Sequence, residues 1–182
     1  MLILSTFNSE YLKSPLQDLI KEFTTESVEI KYVNTNIVGA LIDLQSNLKP
    51  LPSLAVLLRL FDLTGKCEDQ NIKEKLDENL RLVSAQINAL KKEKELSLIV
   101  FLCPSPKNFY DQALFDIEND FLTVLKDNKI HTLTQSDIRK HYLLNKVDNS
   151  VEHETHIPYT PEFYAASAIL LARRLQVLTR RP

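Results

Sequence analysis

Apolar residues along this chain change their spacing in a regular way. A short run at 2–4 gives way to a polar break and then to Leu12, Leu16, Leu19, Ile20 and Phe23 at three- and four-residue spacing, which predicts strand, loop and helix. The unit repeats, with Val28, Ile30, Tyr32 and Val33 as a β-branched and aromatic strand and Ile37, Val38, Leu41, Ile42 and Leu44 as a second helix. Residues 54–60 are apolar except for Arg59, the pattern of a strand covered on both faces at the centre of a parallel sheet. Ile72, Leu76, Leu80, Val83, Ile87 and Leu90 follow at intervals of four, four, three, four and three, the clearest helix of the chain.

A fourth apolar run at 96–102 is stopped by Cys103, Pro104, Ser105 and Pro106, because proline supplies no ladder donor. A helix through Leu114, Ile117, Phe121 and Leu125 comes next, then a short strand at 130–133 and a helix through Ile138 to Leu143 with Ser136 as its cap. A polar loop from about 145 to 159 leads to the last helix, whose start is marked by Thr160 as N-cap, Pro161 in the first position and Glu162 at the positive end of the dipole. Five strands alternating with helices imply right-handed crossovers and one doubly wound, mostly parallel sheet with helices on both sides. No internal repeat or low-complexity segment interrupts the pattern, so residues 1–182 are expected to form a single α/β domain.

Composition narrows the function. Of 182 residues 44% are hydrophobic, enough to bury a sizeable core. The 22 basic and 24 acidic side chains nearly cancel, leaving no general field to attract nucleic acid. No apolar stretch approaches the roughly 20 residues that span a bilayer. Met1 runs into Leu2, Ile3 and Leu4 without a basic region or a cleavage site, and Cys67 and Cys103 suit a reducing compartment, so a cytoplasmic protein is expected. Gly39 and Gly65 are the only glycines, and neither a GxGxxG nor a GxxxxGK[ST] phosphate loop can be written with them. No cofactor is expected.

In open α/β sheets ligands bind beyond the carboxyl ends of the strands. The residues there are Ser5, Thr6 and Asn8, then Asn34 and Asn36, then Arg59, Phe61 and Asp62, then Cys103 and Ser105. The loop before the last helix adds Glu152, His153, Glu154 and His156. A hydroxyl after the first strand and a histidine before the last helix fit a hydrolase in which His156 deprotonates Ser5 or Thr6, although serine and threonine are also ordinary turn residues. Arg59 needs an anionic or carbonyl partner, either Asp62 or Glu154 in an ion pair, or a ligand carboxylate or phosphate. Cys103 reads as a buried small hydrophobe, and His153 with His156 lacks the further ligands a metal site needs. Arg173, Arg174, Arg180 and Arg181 fit the negative end of the last helix.

The segments AVLLRLFDL, LIVFLCPSP and HIPYTPEFYAASAILLARRL, with the opening STFNSEYLKSPL, resemble the SGNH-hydrolase-like domain associated with FkbH-like proteins and embedded in polyketide and nonribosomal peptide assembly lines. The resemblance runs over nearly the whole chain in order, and HIPYTPEFYAA is its most specific part, with Thr155 where relatives have glycine. It implies a three-layer, flavodoxin-like fold on a central five-stranded parallel sheet. It puts the nucleophile position on Thr6 beside Ser5, the glycine and asparagine of the oxyanion hole on Arg59 and Phe61, the histidine on His156, and His153 where the aspartate usually stands. The DxDxT motif of the haloacid-dehalogenase-type partner domain does not occur.

The resemblance therefore implies an accessory domain of polyketide or nonribosomal peptide biosynthesis that acts on or recognises an acyl group on an acyl or peptidyl carrier protein. Thr6, Ser5 and His156 are the catalytic candidates; Arg59, Asp62 and Asn36 are the substrate-binding ones. The alternatives are an inactive interaction module of an assembly line and a small-molecule ester hydrolase. If the chain is an enzyme, it is an acyl or ester hydrolase or an acyltransferase with a degenerate oxyanion hole. Partners would be carrier proteins and other assembly-line domains, with no metal, nucleic acid or membrane involved.

Overall fold

A computed structural model describes residues 1–46, 52–64, 71–93, 96–106, 112–142 and 158–179. Strands β1 (Leu2–Ser5), β2 (Glu29–Tyr32), β3 (Ser53–Arg59), β4 (Ser97–Cys103) and β5 (His131–Thr134) form one sheet in the order β2-β1-β3-β4-β5. Every neighbouring pair is parallel. Helices α1 (Lys13–Ile20), α2 (Ile37–Ser46), α3 (Leu60–Leu63), α4 (Ile72–Glu93), α5 (Gln112–Asp127), α6 (Gln135–His141) and α7 (Pro161–Thr179) alternate with the strands. This is the flavodoxin-like, three-layer α/β arrangement. β3 is buried at all seven positions, its polar ends Ser53 and Arg59 included, because it is the central strand and is covered on both faces. At the edge, β2 is mostly exposed, and its sequence EIKY alternates accordingly.

Alternation along each strand divides the core into two layers. Ile3, Ala55, Leu57, Ile99, Phe101 and Leu133 face one side and pack with Leu16 and Ile20 of α1 and Phe163, Tyr164, Ala168, Leu171 and Leu175 of α7. Leu4, Leu54, Val56, Leu58, Leu98 and Val100 face the other and meet Leu41 of α2, Leu76, Leu80, Val83 and Ile87 of α4, and Phe121 and Leu125 of α5. At the amino ends of the strands, Gln17 clasps the turn before β2: its Oε1 accepts from the Val28 amide at 2.6 Å and its Nε2 donates to the Glu26 carbonyl at 3.2 Å.

Three details differ from the sequence reading. The cap of α6 is Thr134, not Ser136: a capping box joins Thr134 to Asp137, whose Oδ2 accepts from the Thr134 amide at 2.9 Å, and Ser136 lies inside the helix. Leu60 closes no strand but opens α3. Arg173 and Arg174 lie short of the final turn of α7, which holds no basic residue, while 180 and 181 fall outside the described residues. Thr160 does stand before α7, its Oγ1 3.4 Å from the Phe163 amide. Among the described residues, no helix is long and apolar enough to cross a membrane.

Candidate functional site

In the order β2-β1-β3-β4-β5 the chain winds outward one way from β1 and the other way from β3. The ends of β1 and β3 are therefore a switch point, where the loops part and leave room for a ligand. Thr6 follows β1 there, Arg59 is the last residue of β3 and Asp62 lies three residues on.

The three side chains form one connected arrangement. Thr6 Oγ1 donates to Asp62 Oδ2 at 2.9 Å and accepts the backbone N–H of Arg59 at 3.0 Å. Arg59 Nε donates to Asp62 Oδ1 at 2.9 Å, and Nη2 donates to the same oxygen. Both charged side chains are nearly buried, at 6% and 8% exposure, so the pair screens itself from water. Two rings flank the guanidinium, with Phe7 at 6.0 Å and Phe61 at 5.6 Å from its carbon. The short helix that carries Phe61 and Asp62 is fixed to the end of β4, because Ser105 Oγ accepts from the Phe61 amide at 3.2 Å.

The remaining wall comes from the last crossover. Tyr159 donates its hydroxyl to the Pro104 carbonyl, stacks on Phe163 at 4.2 Å and meets Phe7 edge-on at 5.1 Å. Tyr164 donates to the Asn8 carbonyl at 2.9 Å. These two bonds attach the loop after β1 to α7 and the loop after β4 to the segment just before it. Burial pushes the phenols of Tyr159 and Tyr164 up and keeps them neutral. The Cys103 thiol is likewise pushed well up by burial, opposed by the nearby Arg59, so it is an inert core group, not a thiolate nucleophile. Tyr32 is raised first by partial burial and next by the Asp62 charge, with Arg59 opposing.

Thr6, Arg59 and Asp62, three of the six candidates, thus stand together. Ser5 is adjacent but turns inward, its hydroxyl donating to the Phe7 carbonyl at 2.7 Å. Asn36 precedes α2 on the surface; its carbonyl accepts the Ala40 amide at 3.1 Å, and its carboxamide folds over Gly39, where a Cβ would collide with it. Glu152, His153, Glu154 and His156 lie outside the described residues. No group of three or more potential metal ligands occurs among the described residues. Sequence reasoning passed over Phe7, Ser105 as a backbone acceptor, and the two tyrosines. An aromatic directly after Ser5-Thr6 and the spacing of Tyr159, Phe163 and Tyr164 at the start of α7 were the available signals. A shallow depression lined by Glu10, Lys13, Ser14, Gln17 and Asp18 lies along α1 and has mixed charge. No protein-family model matches the chain, and no curated protein matches it.

Proposed function

We propose that this chain is an SGNH-hydrolase-like accessory domain of polyketide or nonribosomal peptide assembly that recognises an acyl group on a carrier protein without hydrolysing it. The carrying observation is the hydrogen-bonded Thr6–Asp62–Arg59 arrangement at the switch point. A hydrolase of this kind sends its nucleophile's proton to a histidine and aims N–H donors at the developing oxyanion. In this chain the Thr6 hydrogen goes to Asp62, the Arg59 amide to Thr6, and the Phe61 amide to Ser105. The Thr6 hydroxyl and the Arg59 and Phe61 amides each have a partner in the resting protein.

The segments that carry the resemblance also converge in space. Thr6 and Phe7 come from the opening segment, Arg59 and Asp62 from AVLLRLFDL, Ser105 from LIVFLCPSP, and Tyr159 and Tyr164 from HIPYTPEFYAA. Four separated stretches that look like one family build one locus, which is what a shared binding role requires. On this reading the domain works in the cytoplasm beside carrier-bearing synthases.

The test is a titration of the purified chain with holo- and acyl-loaded acyl and peptidyl carrier proteins, together with an assay on p-nitrophenyl acetate. The expected result is tighter binding of an acyl-loaded carrier and negligible ester turnover. Robust turnover lost in both Thr6→Ala and His156→Ala would replace this reading with a hydrolase. Failure to bind any carrier, loaded or not, would end it.

A further inference from the structure

Strand β2 closes one side of the sheet, and among the described residues no strand pairs with its outer edge. Its inner edge uses alternate residues: Glu29 donates its backbone N–H to the Met1 carbonyl at 3.0 Å and Val33 donates to the Ser5 carbonyl at 2.9 Å. Backbone groups alternate in direction along a strand, so the N–H and C=O of Ile30 point away from β1. Such an edge is a template for another strand, and proteins usually guard it with charge, lysine above all. β2 does carry Lys31, but Glu29 stands two residues before it on the same face. In register with Leu2 and Leu4, both project from the side of the sheet that α2 covers. Both are exposed, and neither has an ion pair among the described residues. Ile30 projects from the opposite face, where it is only partly buried against the core.

Edge strands of two copies related by a two-fold axis in this way run antiparallel and present the same residues to each other. Outward backbone groups must face one another, so the axis passes through a residue of the strand and not between two residues. An axis at Glu29 or at Lys31 sets that residue against its own copy, and like charges directly opposite repel. An axis at Tyr32 leaves Glu29 without a facing charge. An axis at Ile30 sets Glu29 against the second copy's Lys31, and Lys31 against its Glu29. Ile30 then meets its own copy, the two exchanging N–H and C=O bonds and covering the apolar face that each leaves partly open. The charged pairs fall at the positions without mutual backbone bonds, where facing Cβ atoms come closest, about 4.5–5.5 Å apart. The other edge strand, β5, has the sequence HTLT and no acidic residue to form such pairs. We infer that β2 is the edge through which this protein dimerises, pairing antiparallel with β2 of a second copy about an axis at Ile30 and joining two sheets into one. The strand has four residues, and Asn34, with φ of 50°, turns the chain soon after it, so the contact is short and the dimer is of the weak, concentration-dependent class. It is independent of what the switch point binds.

The test is sedimentation velocity on the full chain under reducing conditions, from about 1 μM to about 1 mM. Wild-type protein is expected to pass from monomer to dimer over this range. Glu29→Lys alone and Lys31→Glu alone are each expected to weaken self-association at least about tenfold, because each turns both facing pairs into like charges. An equimolar mixture of the two variants is expected to regain the dimer, since each supplies the charges that the other lacks. The chain carrying both substitutions is expected to dimerise with itself as the wild type does. Both side chains are exposed, so urea midpoints should stay unchanged. Should a single substitution shift its midpoint, the doubly substituted chain and the mixture carry the test. Wild-type protein that stays monomeric throughout overturns the inference. A dimer that survives Lys31→Glu forms through another surface and overturns it too, as does a mixture no more associated than its components.

Discussion

Thr6 donates its hydroxyl hydrogen to Asp62, with 2.9 Å between Oγ1 and Oδ2, across a gap of 56 residues in sequence. Thr6 Oγ1 also accepts the Arg59 N–H, so one side chain joins the ends of the two central strands. Thr6 is 1% exposed, and water cannot replace either bond.

Thr6→Val keeps the shape but removes both bonds, leaving the Arg59 N–H and an Asp62 oxygen short of a partner. The expected loss of stability is about 1–3 kcal/mol, the usual consequence of stranding a buried polar group. Thr6→Ser keeps the oxygen and should lose much less. Urea unfolding of the two variants checks this, and equal losses would mean that the methyl group, not the hydroxyl, matters.

Arg59→Met should destabilise by about 3–5 kcal/mol, because it leaves the Asp62 carboxylate buried without its cation. Arg59→Met combined with Asp62→Leu removes both charges and should recover much of that loss, since apolar replacements of buried pairs are often neutral. A double-mutant cycle in denaturant measures the coupling. If the two single losses simply add, the contact between these charges does not govern stability here.

The alkaline limb of stability follows from buried acids that stay protonated. Burial raises Cys103 and Tyr159, so the folded chain holds protons that the unfolded chain releases. Their contribution is complete below the unfolded values, 9.0 for the thiol and 10.0 for the phenol, and is lost as pH rises through them toward the higher folded values. Each such group steepens the fall by about 1.4 kcal/mol per pH unit. Tyr159→Phe should therefore lower stability at neutral pH by removing the bond to Pro104, yet flatten the decline above pH 10.0. Parallel curves for wild type and variant would mean that Tyr159 ionises freely in the folded protein.

Much of the architecture was legible because strand burial writes itself into composition. Residues 54–60 read as a central strand since only a strand covered on both faces tolerates no polar position, and Arg59 stood out against that background for the same reason. Its partner was also within reach, three residues on in the next turn. Ser105 and Thr6 were harder to interpret. A hydroxyl after a strand looks the same whether it attacks a substrate or bonds a neighbouring amide 44 or 53 residues away, and only the packing of β1, β3 and β4 distinguishes the two. At α6 the misreading was avoidable, because Thr134-Gln135-Ser136-Asp137 already has the capping-box spacing that Ser136 lacks.

Lys129 marks a place where backbone geometry and residue type disagree. It lies two residues past the end of α5 with φ of 56°, a left-handed conformation in which a Cβ crowds the backbone. The bonds around it are those of a Schellman close: Ile130 donates to the Leu125 carbonyl at 3.0 Å and Lys129 to the Lys126 carbonyl at 2.9 Å. Leu125 and Ile130 are both buried, supplying the apolar contact that accompanies the motif. Tertiary packing thus holds the turn despite the lysine. Lys129→Gly removes the steric conflict, worth roughly 1–2 kcal/mol, and gives back part of it through the greater freedom of glycine in the unfolded chain, up to about 1 kcal/mol. The net expectation is a gain of up to about 1 kcal/mol, read as a higher urea midpoint with an unchanged slope. Lys129→Ala keeps the Cβ and should show no such gain. A glycine variant no more stable than the alanine variant would mean that the left-handed turn costs the protein nothing.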